Sequence, residues 1–136
     1  MTNLTPDLYW LTLTALMTSL LWAPHITYLI LKQEGIAGAF LDTQGQNIPN
    51  PEWGKRAKRA HLNAQQNLAV FAALILTAHI AGVPPAKTAL YAMIYFFARL
   101  THYIVYTLGL PLLRQVSFVV SVTMQVLLAL TILQVL

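Results

Sequence analysis

Four long apolar segments constrain the fold of this chain more than any other feature. They run over about residues 7–31, 51–81, 86–108 and 111–135. Each reaches the roughly 20 residues that an α-helix needs to cross the hydrocarbon core of a bilayer. Backbone groups in lipid must be paired within the segment, and these segments are too long and continuous for barrel strands. We therefore predict an all-α membrane protein, a four-transmembrane-helix bundle that forms one domain over residues 1–136.

The composition supports a lipid-facing surface. Hydrophobic residues make up 57% of the chain and charged residues 9%, whereas about a quarter of a soluble chain is charged. The absence of cysteine excludes disulfides, Cys-ligated zinc and thiol chemistry by the chain itself. The four histidines do not stand at metal-ligand spacing on one helix, so we predict no metal site. The net charge of +4 is read as a topology signal, and no nucleic-acid partner is predicted.

Lysine and arginine are distributed unevenly between the connections, and this predicts the orientation. The first connection and its flanks carry five of them, the second carries Lys87 and the third carries Arg114. By the positive-inside rule, the first and third connections are cytoplasmic and both termini are non-cytoplasmic. The five basic residues of the first connection are Lys32, Lys55, Arg56, Lys58 and Arg59.

Polar residues recur at steps of three and four along three of the segments, so each segment has a polar face. Such residues are costly in lipid, and we expect these faces to turn toward each other or toward neighbouring subunits. Together they predict a polar cavity rich in cations and poor in acids, which favours an anionic ligand. The faces comprise Arg56, Arg59, Asn63, Gln66 and Val70; Tyr91, Tyr95, Arg99, His102 and Tyr106; and Arg114, Ser117, Ser121 and Gln125.

Several of these residues have a purely structural alternative. Lys55, Arg56 and Lys58 are typical interfacial anchors. Arg99 stands near the middle of its segment, where backbone carbonyls or lipid phosphate could satisfy it without any functional ligand. The tyrosines of the third segment could be ordinary aromatic packing near an interface. The cavity hypothesis therefore depends on the convergence of three polar faces and not on any single residue.

Two motifs resemble a known family. "RAHLNAQQN" from Arg59 resembles the second-helix signature of the MAPEG family, the membrane-associated proteins in eicosanoid and glutathione metabolism. "FARLTHYIVY" from Phe97 resembles the third-helix signature, and Arg114 follows a short proline-containing turn where the family carries its catalytic arginine. The resemblance extends over nearly the whole chain. The compact loops and the lack of an endoplasmic-reticulum retrieval signal favour a bacterial-type member in an inner membrane.

The resemblance implies a homotrimer with three sites between adjacent subunits, each binding glutathione as a co-substrate. It assigns the catalytic role to Arg114, which would stabilise the glutathione thiolate. It implies a second, hydrophobic substrate that arrives from the membrane lipid. The glutathione-binding residues implied by the resemblance are Arg59, Asn63, Gln66, Arg99, His102, Tyr106 and Lys32.

The expected function is that of a membrane-bound glutathione transferase or peroxidase acting on hydrophobic electrophiles or lipid hydroperoxides. One departure from the family keeps an alternative open, because Gln66 stands where the family has a glutamate. Leu62 likewise stands where some members have another arginine. Glutamine can donate and accept hydrogen bonds but cannot neutralise a cation. The alternative is a non-catalytic subunit of the same family that binds lipid or a partner protein.

Overall fold

A computed structural model describes residues 4–32, 36 and 50–134, and within these residues the chain is helical with no strand. The helices are α1 (Pro6–Leu20), α2 (Ala23–Lys32), α3 (Glu52–Ile80), α4 (Pro85–Leu108) and α5 (Pro111–Ile132). Helices α1 and α2 together occupy the first predicted segment, so the described chain has four helical segments. This confirms the prediction of an all-helical chain with four such segments. Most of the predicted polar loop between Lys32 and Asn50 lies outside the described residues.

The first segment was predicted as one helix over about residues 7–31, and it is instead interrupted at Leu21 and Trp22. Pro24 lies in the first turn of α2. Proline has no backbone N–H, and in a continuous helix its ring would clash with the carbonyl one turn earlier. The break leaves the carbonyl of Leu21 without a helical partner, and the Tyr103 hydroxyl donates a hydrogen bond to it at 2.8 Å.

Short turns connect the last three helices. Helix α3 ends before Gly82 and α4 ends at Gly109, and both glycines have left-handed backbone conformations, with φ of 72° and 79°. A left-handed glycine is a common helix terminator because it has no Cβ to clash. Pro85 and Pro111 begin the helices that follow, where the missing N–H removes no hydrogen bond.

Helix α4 is the centre of the bundle, because it packs against α1, α3 and α5. Toward one end, small residues of α3 allow close approach, as at many helix contacts in membranes. Ala57, Ala60 and Ala64 of α3 are buried there with Leu21 and Tyr103. Toward the other end, the rings of Phe71 and Tyr95 stack with centroids 3.9 Å apart, inside a cluster with Ile75, Ala92 and Leu128. Two apolar clusters therefore fix how α3 and α5 lie against α4.

Two stretches, Pro6–Lys32 and Pro111–Ile132, are long and apolar enough to cross a membrane by length and composition. Helices α3 and α4 are also long enough, but within the described ranges they do not pass the same test of apolarity. The physical reason is their polar content, which includes Asn63 and Gln66 on α3 and Arg99 and His102 on α4. Several of the residues that lower the apolarity of these two helices are thus predicted site residues.

Candidate functional site

A cavity of about 200 Å³ lies where the start of α3 meets the turn between α4 and α5. We call this region the basic end of the bundle, because the cavity is lined by two guanidinium groups. The glycine that ends α4 and the proline that begins α5 form the cavity's backbone wall, so the tight turn shapes it. The lining residues are Arg56, Tyr106, Gly109, Leu110, Pro111 and Arg114.

Arg56 is held in place by the end of α4. Its Nε donates a hydrogen bond to the carbonyl oxygen of Thr107 at 3.0 Å. That carbonyl is in the last turn of the helix, where carbonyls lack helical partners and the helix dipole attracts a cation. A Cβ placed on Gly109 would lie 3.2 Å from both Cζ and Nε of Arg56. Glycine at this position therefore provides both the left-handed turn and the space for the guanidinium.

Arg114, in the first turn of α5, lies over an aromatic ring. Its Cζ is 4.8 Å from the centroid of the Tyr106 ring, within the range of a cation–π interaction. This contact orients the guanidinium without neutralising its charge. Tyr106 is itself in edge-to-face contact with His102, with ring centroids 5.6 Å apart. Arg114, Tyr106 and His102 thus form a continuous chain of contacts between α5 and α4.

Arg99 is the most deeply buried cation of the described chain, with 2% of its surface exposed. Its Nη2 donates a hydrogen bond to Oδ1 of Asn63 at 2.7 Å. Its Nε and Nη1 are buried and have no hydrogen-bond partner among the described residues. Buried donors of a charged group are costly when unpaired. The site therefore has unused capacity to bind a hydrogen-bond acceptor, from a ligand or from water.

His102 lies one turn further along α4 and is also buried, with 3% of its surface exposed. Its Nδ1 is 3.1 Å from the backbone carbonyl oxygen of Arg114 and 3.3 Å from the Ser117 hydroxyl. A carbonyl can only accept, so this hydrogen bond places the proton on Nδ1 and leaves Nε2 as an acceptor. Nε2 is buried and has no partner among the described residues. His102 thus couples the backbone at Arg114 to the interior of the bundle.

No carboxylate balances these arginines within the described part of the chain. Its two acidic residues are Asp7 and Glu52. Asp7 is at the opposite end of the bundle, where it accepts a hydrogen bond from Thr88 at 3.2 Å. Glu52 pairs with Lys55 at 2.7 Å, and this contact lowers the pKa of the Glu52 carboxyl. Arg56, Arg99 and Arg114 therefore present an excess of positive charge.

The structure brings some of the predicted site residues together and leaves others apart. Five of the eight meet through α4, whereas Lys32, Arg59 and Gln66 are exposed on the described single chain. The predicted inward face of α3 is therefore divided, because Asn63 points to α4 while Gln66 lies on the outer surface. The five that meet are Asn63, Arg99, His102, Tyr106 and Arg114.

Two further residues of this region belong to the predicted polar faces but not to the predicted site residues. Arg56 stands on the predicted polar face of α3, with an interfacial anchor as its structural alternative, and it lines the cavity beside Arg114. Ser117 was placed on a polar face without a specific role, yet it contacts His102. A weak signal for Arg56 existed, since it stands one turn before Arg59 on the same polar face. Its partner, the carbonyl of Thr107, is a backbone group that no sequence motif identifies.

The fold and the site together define a helical bundle in which Arg99 is buried among apolar helices and Arg56 and Arg114 line one cavity. The chain belongs to the MAPEG family, whose model matches residues 8–134, and the members of this family are membrane proteins. The family includes glutathione transferases and peroxidases as well as non-catalytic members. No curated protein sequence matches the chain.

The two left-handed glycines provide a matched test of how Arg56 is held against Gly109 and the Thr107 carbonyl. We expect Gly109→Ala and Gly82→Ala each to lower the free energy of unfolding by about 1 kcal/mol, because alanine is strained at positive φ. Gly109→Ala should lower the free energy of unfolding by roughly 1 kcal/mol more, because its methyl group would displace Arg56 from the Thr107 carbonyl. No atom lies within 4 Å of a Cβ at Gly82. Denaturant unfolding in detergent measures both values.

The double variant Arg56→Ala with Gly109→Ala separates strain from displacement. Once the guanidinium is absent, Gly109→Ala should lower the free energy of unfolding no more than Gly82→Ala does. An equal cost of Gly109→Ala with and without Arg56 would contradict the proposed packing.

Proposed function

We propose that this protein is a membrane-bound, glutathione-dependent transferase or peroxidase that acts on hydrophobic electrophiles or lipid hydroperoxides. One observation carries the proposal: Arg56 and Arg114 line a single cavity, and no carboxylate of the described chain neutralises either of them. Membership of the MAPEG family supports glutathione as the co-substrate.

The chemistry of glutathione matches such a site. The tripeptide carries two carboxylates and one ammonium at neutral pH. Guanidinium groups bind carboxylates in a planar, two-pronged geometry. Arg56 and Arg99 both have a fixed position, the first on the Thr107 carbonyl and the second on Asn63. A prearranged donor loses less side-chain entropy when it binds a ligand.

Arg114 is the proposed catalytic residue. A free thiol has a pKa of about 8.5, and a neighbouring cation lowers it and increases the thiolate fraction. In the transferase reaction the thiolate sulfur attacks the electrophilic carbon, a carbon–sulfur bond forms, and the displaced electron pair leaves with the departing group or is protonated. With a hydroperoxide, the sulfur attacks the terminal oxygen and the O–O bond breaks. The alkoxide takes a proton, and a second glutathione reduces the sulfenic acid to give the disulfide and water.

The remaining predicted residues fit a homotrimer, which is part of the proposal. Lys32, Arg59 and Gln66 are exposed on the single chain, and a neighbouring subunit packed on α3 would bring them to a shared site. Glutathione would then lie between subunits and contact α3 of one chain and the Arg114 region of another. Polar residues at bilayer depth are normally turned toward protein and away from lipid, which favours this arrangement.

We also propose the orientation in the membrane. The basic end, with Arg56, Lys58 and Arg114, would be cytoplasmic, and both termini would be non-cytoplasmic. One domain over residues 1–136 would cross the membrane four times, and a bacterial inner membrane is the proposed location.

Removing the Arg114 guanidinium should abolish thiolate formation. We expect glutathione bound to the purified wild-type protein to show thiolate absorbance at about 240 nm at neutral pH. Arg114→Ala should lose this absorbance and most of the conjugation rate. Arg114→Lys should keep part of both, because it retains the charge but not the planar geometry. Lys58→Ala, an exposed basic position nearby, serves as the control. An unchanged conjugation rate in Arg114→Ala would show that Arg114 does not stabilise the thiolate.

The oligomeric state gives a separate test. Chemical cross-linking in native membranes, read by mass, should yield trimers as the largest abundant species. A disulfide between cysteines introduced at exposed positions of α3 should form between chains, and the cysteine-free background makes this unambiguous. Only monomers under conditions that cross-link a known oligomer would count against the trimer.

A second candidate function is a non-catalytic subunit that binds lipid or a partner protein, and Gln66 favours it. We expect Gln66→Glu to tighten glutathione binding about tenfold, because a carboxylate forms a charge-assisted hydrogen bond with the ammonium of the ligand. Gln65→Glu adds the same charge at the adjacent exposed position and should have little effect. Isothermal titration calorimetry measures both. A wild-type protein that binds no glutathione, together with a Gln66→Glu variant that does, would favour the second candidate.

A further inference from the structure

The cavity at the basic end holds two guanidinium groups in a small space. Its volume of about 200 Å³ is below the roughly 300 Å³ at which sites for whole small molecules begin. It therefore accommodates one compact anionic group, and the rest of a larger molecule must extend outward. A larger cavity of about 410 Å³ between α4 and α5 has no charged residue in its lining. Of these two cavities, the smaller is the one that attracts an anion.

The charge in this cavity matches an anion with two negative charges. Arg56 uses its Nε for the Thr107 carbonyl, and no carboxylate of the described chain pairs with its guanidinium. Arg114 rests on the Tyr106 ring, a contact that leaves its charge intact. A phosphate monoester carries about two negative charges at neutral pH and has three free oxygens. A carboxylate or a phosphate diester has one charge and two free oxygens, so it is a poorer match for two guanidinium groups.

The cavity lies at the depth of the phosphate groups of a bilayer. Helix α5 has 22 residues, which at ~1.5 Å per residue gives about 33 Å, slightly more than the roughly 30 Å of the hydrocarbon core. The chain is a membrane protein, and α5 is long and apolar enough to cross. A crossing α5 places its first turn at the membrane–water interface. Pro111 and Arg114 of that turn line the cavity, and the helix dipole also favours an anion there.

Exposed leucines stand beside the cavity. Leu110 lines it, and Leu112 and Leu113, in the first turn of α5, are 75% and 51% exposed. Neighbouring exposed apolar side chains of this kind are typical of surfaces that contact a membrane or a partner. Acyl chains would cover them, whereas a soluble phosphate would not. The leucines therefore favour a lipid as the source of the phosphate.

We propose that this cavity binds the phosphate monoester headgroup of a membrane lipid of the phosphatidic acid class. Arg56 and Arg114 hold the phosphate, and the acyl chains lie outside the cavity along Leu112 and Leu113. The lipid phosphate and a glutathione thiolate need the same Arg114 guanidinium, so the lipid competes with glutathione and regulates the thiol site. This regulatory part rests on the proposed function, whereas the lipid site rests on the cavity and its charge.

Binding is measured without catalysis. The probe is dioctanoyl phosphatidic acid, titrated by calorimetry into the purified full-length protein in detergent micelles without net charge. We expect Arg56→Gln to weaken binding about tenfold, because one of the two guanidinium groups is lost. Lys58→Gln removes the same charge from an exposed position on α3 and should weaken binding by less than about twofold. Equal losses in these two variants would overturn the inference.

A variant that keeps every charge separates a defined site from general attraction. Gly109→Ala would place a methyl group 3.2 Å from Cζ of Arg56 and displace the guanidinium, so binding should weaken about fivefold. Gly82→Ala introduces the same left-handed strain, but no atom lies within 4 Å of its Cβ, and binding should be unchanged. Equal binding by the Gly109→Ala variant and the wild type would contradict the proposed site.

Two further ligands identify the source of the phosphate and the charge that is recognised. Glycerol phosphate has the same headgroup without acyl chains, and we expect it to bind at least about tenfold more weakly. Dioctanoyl phosphatidylglycerol is a diester with one negative charge, and it should also bind about tenfold more weakly. Equal affinity for glycerol phosphate would overturn the lipid in favour of a soluble phosphate. Equal affinity for phosphatidylglycerol would overturn the match to two charges.

The regulatory part is measured by the thiolate absorbance of bound glutathione at about 240 nm. Phosphatidic acid should raise the glutathione concentration needed for half-saturation and leave the maximal absorbance unchanged. An unchanged half-saturation with the lipid bound would overturn the competition. If the lipid binds as expected but glutathione gives no thiolate, the proposed function fails while the lipid site remains. If the thiolate forms but lipid binding does not depend on Arg56 or Gly109, the lipid site fails while the proposed function remains.

Discussion

The arrangement of this protein depends on positive charge held among apolar helices without an opposing carboxylate in the part of the chain that the structure describes. Arg99 is buried and has one hydrogen-bond partner, Asn63. Arg114 rests on an aromatic ring, and Arg56 is fixed by a backbone carbonyl. Each partner is neutral, so each orients a guanidinium and leaves its charge uncompensated. Such charge is unfavourable in a low-dielectric environment unless an anion or water joins it. The proposed binding of an anionic tripeptide follows from this imbalance.

Helix α4 is the element through which the site is assembled. Its inward face carries Tyr95, Arg99, His102 and Tyr106 at helical spacing, and it contacts the three other segments. The alanines of α3 allow the two helices to approach closely, which brings Asn63 within reach of Arg99. The contact of His102 with the Arg114 carbonyl fixes the start of α5 against α4. Packing and polar contacts therefore both hold the arginine side chains in position, and a change in either would move the guanidinium groups.

The two cavities differ in chemistry. The smaller is lined by arginines beside a tight turn, and the larger, between α4 and α5, is lined mainly by alkyl and aromatic side chains. Ser117 lines the larger cavity and contacts His102. A reaction that joins an anionic, water-soluble thiol to an apolar molecule needs both environments in contact, and the interface of a membrane is where such reactants meet. The proposed function is consistent with the presence of both environments in one chain.

The sequence by itself determined the helical character, the four segments and most of the inward face of α4, because helical periodicity and apolar length are local properties of the chain. It also indicated Arg114 and the excess of cations, and its motifs pointed to the family. The break of the first segment at Leu21 has a local signal in Pro24, but the Tyr103 hydroxyl that pairs with the freed carbonyl is distant in the sequence and could not be identified from it. Nor could it show that Arg56 joins Arg114 at one cavity, or that Asn63 and Gln66 on the same helix point in different directions. Those outcomes depend on which face of α3 packs against α4. Tertiary contacts decided that, because the alanines allow a closer approach than the polar edge of the helix.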